Sequence, residues 1–165
     1  MSEMNRLNVK KFVGLVGVER SGKTHILKGL AEWMLNLPGA RLRCAYDNSL
    51  NRIDDIAGAK DFMAAIDCCG KTYVVVTFGD VRHIVRGIIG ITIEITIEVS
   101  VEVFFAAMRS ESPNVCDEYR KVLSEYNRNF LIVKKTRFFE KRCPRDKLIE
   151  VDRNWIDKFA LEICG

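Results

Sequence analysis

Apolar and polar positions alternate between two periods along the chain, and the changes of period mark its elements. Residues 11–16 form a short apolar run that stops at Gly17, as a buried strand does. After Gly22-Lys23-Thr24, the residues Ile26, Leu27, Leu30, Met34 and Leu37 recur at helical spacing until Pro38-Gly39 ends the pattern. Residues 41–46 read as a short strand, and 47–60 as a polar region with one helical turn. Residues 62–66 and 72–78 are β-prone runs joined by Asp67-Cys68-Cys69-Gly70-Lys71, the pattern of a hairpin. Val115, Tyr119, Val122, Leu123 and Tyr126 predict a helix, and residues 130–133 a strand. A last helix capped by Asp152 carries Trp155, Ile156, Phe159, Ala160 and Ile163.

Residues 91–103 conflict with this simple reading. Ile91-Thr92-Ile93-Glu94-Ile95-Thr96-Ile97-Glu98-Val99-Ser100-Val101-Glu102-Val103 alternates without a fault, which is a strand signature. A strand running on to Ala107 would exceed the usual 3–10 residues. Neighbouring parallel strands also need a crossover, usually helical, between them. Glu94, Glu98 and Glu102 fall four apart, a spacing that a helix face also permits. The expectation is a helix over about 81–97 and a strand from about Val101. The whole predicts one three-layer α/β domain over residues 1–165: a mostly parallel sheet with residues 13–16 central, a hairpin, and helices on both faces.

One segment carries chemistry. Gly17-Val18-Glu19-Arg20-Ser21-Gly22-Lys23-Thr24 is a complete G-x-x-x-x-G-K-[ST] phosphate-binding loop, the Walker A pattern, between a strand and an amphipathic helix. Its two glycines let the backbone curl so that successive N–H groups converge on one anion. Those donors open a helix, whose dipole favours negative charge there. Lys23 reaches the β- and γ-phosphates, and Thr24 offers its hydroxyl to Mg²⁺ bridging them. Glu19 and Arg20 occupy the tip, and His25 completes the candidate nucleotide-binding set. The cofactors implied are ATP (or GTP) and Mg²⁺.

An acid at a strand's end should stand on the metal side. Asp80, after Val74-Val75-Val76-Thr77-Phe78-Gly79, fits best; Asp67 and Asp47 are its rivals. Arg109 follows the apolar run 103–108, placing a guanidinium where ligands of open α/β sheets sit.

On residues 17–24 with their strand and helix, the chain resembles the P-loop nucleoside triphosphate hydrolase superfamily. More narrowly, Gly79-Asp80 after a strand, then a helix, then a strand ending in Met108-Arg109-Ser110, resembles small single-domain kinase-like P-loop proteins. The resemblance implies a P-loop fold and an NTPase or a nucleotide or metabolite kinase, with Lys23, Asp80 and Arg109 as the catalytic set and Thr24 and Asp80 at the metal. The chain has no Leu-Ser-Gly-Gly-Gln signature, against a transport ATPase. Asn51-Arg52-Ile53-Asp54 and Asp55-Ile56-Ala57-Gly58 have GTPase-like letters in the wrong order. An arginine-rich lid is absent unless 134–147 serves as one.

Composition adds limits. With 165 residues, 48% apolar and 29% charged, the chain suits one ordinary globular domain. The first dozen residues lack a signal peptide's apolar core, and Arg86, Glu94, Glu98 and Glu102 break the apolar stretch 84–107, so a cytoplasmic protein with no membrane span is expected. Six cysteines form no Cys-x-x-Cys pair, which predicts free, mostly buried thiols and no zinc site. The net charge of +4 is local: eight basic residues in 128–147 face only Glu140 and Asp146, leaving the rest of the chain acidic.

The function expected is phosphoryl transfer from ATP to a small-molecule acceptor, or ATP hydrolysis. The alternatives are a non-enzymatic ATP-dependent switch and a nucleic-acid-associated ATPase using the 128–147 segment. Phe130, Phe138 and Phe139 are its only aromatics, which gives little to a reader of stacked single strands.

Overall fold

In the computed structural model, the structure describes residues 7–17, 23–78, 82–109, 113–126, 128 and 130–134. The strands are β1 (Val9–Gly17), β2 (Arg41–Tyr46), β3 (Arg52–Ile53), β4 (Met63–Cys68), β5 (Lys71–Val76), β6 (Val101–Arg109) and β7 (Phe130–Lys134). The helices are α1 (Lys23–Leu35), α2 (Val85–Glu98) and α3 (Pro113–Ser124), with a 3-10 turn at Arg82–Ile84 before α2. The final helix expected over 152–163 lies outside the described residues.

The strands form one seven-stranded sheet in the order β3-β2-β4-β5-β6-β1-β7. β5, β6, β1 and β7 pair in parallel, while β3, β2, β4 and β5 pair antiparallel. The sheet is therefore mixed rather than mostly parallel. The cause is the hairpin: Cys69 and Gly70 both take positive φ (55° and 73°), a two-residue turn whose twist matches its strands. β4 thus runs opposite to β5, and β2 then lies antiparallel beside β4. β1 is also not central. It sits one strand in from β7, because the hairpin, β2 and β3 all add on the far side of β6.

Alternation along the strands sorts side chains onto two faces. Val13, Leu15, Val75, Phe105 and Ala107 pack with Ile26, Leu27, Leu30 and Met34 of α1. Phe12, Val76, Phe104 and Met108 pack with Val85, Ile88 and Ile89 of α2 and with Val115, Tyr119 and Val122 of α3. Phe104 anchors this second face, its ring centroid 5.3 Å from Phe12 and 6.4 Å from Tyr119. Helices cover both faces, giving three layers.

α2 forms against its own local preferences. Nine of its fourteen residues are β-branched, two are glycine, and no side chain caps its start. Thr92 and Thr96 donate back to the carbonyls of Ile88 and Ile93, as hydroxyls inside helices do. The helix persists because Val85, Ile88, Ile89, Thr92, Ile95 and Thr96 fall on one face and are buried. The same residues placed in a strand would divide between two faces. Residues 47–60 contain turns and β3, not a helical turn: Asp47 Oδ1 accepts from the N–H groups of Ser49 and Asn51, both at 2.9 Å.

Candidate functional site

Five strands, β1, β2, β5, β6 and β7, point the same way, so their carboxyl ends share one edge of the sheet. Gly17, Tyr46, Val76, Arg109 and Lys134 end their strands at that edge. The phosphate-loop pattern spans the step from β1, which ends at Gly17, to α1, which opens at Lys23. Val18, Glu19, Arg20, Ser21 and Gly22 lie outside the described residues. Lys23, Thr24 and His25 form the first positions of α1.

Where β1 and β6 meet, the sheet changes direction. The chain leaves β1 through α1 on one face and returns to β2 on the hairpin side. It leaves β6 through α3 on the opposite face and crosses β1 to reach β7. Neighbouring strands whose connections depart to opposite faces leave a crevice at their carboxyl ends, and ligands of open α/β sheets bind there. Gly17 and Arg109 are register partners at this point, so the backbone brings Arg109 beside the start of the loop. Lys134, within the basic segment 128–147, pairs in register with Val16 on the other side of β1. Most of the remaining basic segment lies outside the described residues.

The three candidate acids separate by topology. Asp67 lies on β4 opposite Thr72, which aligns with Val101 and, through it, with Val9 at the start of β1. Eight residues of β1 separate that level from Gly17, about 26 Å at the rise of a strand. Asp67 thus stands at the opposite edge. Its carboxylate accepts from Arg41 Nε at 3.1 Å, Arg43 Nε at 3.0 Å and Thr72 Oγ1 at 2.7 Å. Burial pushes its pKa up, but the hydrogen bonds from Arg43, Thr72 and Arg41 outweigh it and hold the carboxyl below its usual range. Asp67 is a structural clamp between β2, β4 and β5.

Asp47 follows β2 at the correct edge, yet β2 is four strand spacings from β1, about 19 Å, and its carboxylate closes the turn to β3. Asp80 lies outside the described residues. The strand that leads to it, β5, ends at the crevice edge two spacings from β1, about 10 Å.

No protein family, curated protein or solved structure matches this chain.

Two features of the sheet escape a motif search, one at each edge. Thr77, 1% exposed, and Asp61 meet where β5 leaves the sheet, with Thr77 Oγ1 donating to Asp61 Oδ1 at 3.2 Å. Asp61 precedes β4, and only the antiparallel pairing of the hairpin brings it beside Thr77; no linear spacing signals it. The far edge holds the other surprise. An open cleft of about 340 Å³ there is lined by Arg41, Arg43, Asp67 and Lys71. Its cations are already paired, Arg41 and Arg43 with Asp67 and Lys71 with Glu102.

The thiols need one correction. Cys44, Cys68 and Cys116 are free, but Cys69, at the hairpin tip, is disulfide-bonded. Burial raises the pKa of the three free thiols, which makes them poor nucleophiles. Among the described residues no cluster of three His, Cys, Asp or Glu could hold a metal, and no helix is long and apolar enough to cross a membrane.

Proposed function

We propose that the chain is a P-loop protein that binds a magnesium nucleoside triphosphate at residues 17–24 and transfers its γ-phosphoryl group to a small acceptor. The observation that carries this reading is a coincidence of sequence and topology. The one complete phosphate-loop pattern in the chain begins on Gly17, the last residue of β1, beside the point where the connections from β1 and β6 part. A pattern of contiguous residues does not depend on the order of strands in the sheet, so the two are independent.

Magnesium in such sites keeps several waters and takes ligands from the phosphates, so the protein's share is a hydroxyl and one acid. Thr24 and Asp80 supply that donor set, and the ion would neutralise charge on the phosphates. Backbone N–H groups of the loop and the start of α1 would hold the phosphate oxygens. Lys23 would bring a positive charge to the β- and γ-phosphates, and Arg109 would face charge developing on the transferred group. ATP is the first nucleotide to test, with GTP beside it.

Calorimetry with Mg·ATP and Mg·GTP tests the binding, with Lys23→Ala as the control. The native protein should bind one of them and Lys23→Ala should not, with an unchanged melting temperature. No binding by the native protein would sink the proposal. A screen of nucleosides, nucleotides and metabolites with labelled ATP tests the transfer. Label recovered on an acceptor supports the kinase, and phosphate release indifferent to acceptors reduces the chain to an ATPase.

A further inference from the structure

We infer that residues 91–99 are a self-pairing strand that the docking of α2 withholds, and that their partner, once α2 leaves the sheet, is the same segment of a second copy of this chain.

One stretch of sequence offers two different faces. As a helix, α2 buries Val85, Ile88, Ile89, Thr92, Ile95 and Thr96, two of them threonines, and leaves Ile97 70% exposed. As a strand, residues 91–99 would put every odd-numbered position, all isoleucine or valine, on one side. The even-numbered positions, all threonine or glutamate, would fall on the other. β-branched residues suit a pleated sheet better than a helix. The helix also ends on Glu98 with no basic residue in its last turn, a charge that its dipole disfavours. Extended backbone already reaches the junction: Val99 has φ −139° and ψ 155°, and β6 begins at Val101.

Among the described residues the sheet has no place for this strand. Val101 pairs with Val9, the first residue of β1, and with Thr72, the second of β5. Before Val9 the chain turns, the Leu7 carbonyl accepting from the Val9 N–H at 2.9 Å, and before Lys71 lies the hairpin turn. A strand continued back from Val101 would therefore run past both neighbours with two bare edges, which is a template for another chain.

Charge selects the register. Parallel pairing in register would set Glu94 and Glu98 against themselves, like charges directly opposite one another. Antiparallel pairing about Ile95 sets Glu94 opposite Thr96 and Glu98 opposite Thr92. On the apolar side Ile93 then meets Ile97, and Ile91 meets Val99. The contact is two-fold, with every glutamate facing a hydroxyl.

Ile97 separates the two states, because it is exposed in the helix and inside the apolar face of the strand pair. The full chain, Ile97→Lys and Asn36→Lys are each held at their own urea midpoint, so that differences in stability do not enter. Asn36→Lys adds the same charge at an exposed position after α1. Sedimentation reads association, and the infrared amide I band reads strand direction. The native chain and Asn36→Lys should form species larger than the monomer with an antiparallel band, and Ile97→Lys should remain monomeric. If Ile97→Lys does not fold, the uncharged Ile97→Gln decides by the same loss. Association of Ile97→Lys at the native rate, a native chain that stays monomeric, or a parallel band would each overturn the inference.

Discussion

Two glycines three residues apart on the exposed side of α2 should respond in opposite ways to the same substitution. A β-carbon built on Gly90 meets nothing within 4 Å, whereas one built on Gly87 comes 2.5 Å from Leu50 Cδ1. Ordinary carbon contacts lie at about 3.5–4.0 Å, so Leu50 must move. Replacing an exposed helical glycine by alanine gains about 0.5–1 kcal/mol, because glycine loses more chain entropy on folding. Gly90→Ala should realise that gain, raising the melting temperature by about 1–4 °C for a chain of this size. Gly87→Ala starts from the same gain but displaces a side chain packed beside the α2 and α3 core. Leu50 is only partly buried and Cδ1 is the tip of its side chain, so it gives way by a change of rotamer rather than of backbone. Overpacking of this kind costs about 1–3 kcal/mol and should cancel or reverse the gain. Urea denaturation of both single variants, and of Gly87→Ala in a Leu50→Ala background, separates these effects. In that background the helix gain should return, with a coupling of about 1 kcal/mol or more. Equal stabilities for Gly87→Ala and Gly90→Ala would refute the contact, and a destabilised Gly90→Ala would refute the argument from helix propensity.

Other perturbations test the core and the two edges of the sheet. Phe104→Ala should cost about 3–5 kcal/mol in urea denaturation, because the ring is wholly buried between Phe12 and Tyr119; a cost near 1 kcal/mol would show that the site collapses around the gap. The pKa of Asp67 is lowered on folding, so its stabilisation is complete above the unfolded value of about 3.9 and is lost as pH falls through the lower folded value. Asp67→Asn should therefore lower stability at neutral pH by about 1–2 kcal/mol and flatten the acid limb of the stability curve; an unchanged limb would remove the clamp. In Mg·ATP titrations Asp80→Asn should weaken binding and Asp67→Asn should not, given about 26 Å between Asp67 and the crevice edge, and the reverse order would move the metal site.

Elements whose cause is local were legible along the chain. The apolar run ending at Gly17, the helix spacing of Ile26, Leu27, Leu30 and Met34, and the β-prone runs around Cys69-Gly70 each depend on nearest neighbours. The phosphate-loop pattern belongs with them, since its residues are contiguous. α2 was legible only by indirect reasoning. Its alternating isoleucines and threonines spell a strand, and the need for a crossover between parallel β5 and β6 is a fact about the sheet. What the tertiary structure decided was order and direction. Whether β1 neighbours β5 or β6 depends on which faces α1, α2 and α3 cover, a balance of long-range burial that no window of sequence contains. The same holds for Asp67 and Asp61. A hairpin turn lies at the edge opposite to the exit of its second strand, so β4 carries Asp67 away from the crevice while Asp61, at the start of β4, stays beside Thr77. Residue spacing records how far apart groups are along the chain; pairing across strands determines which of them meet.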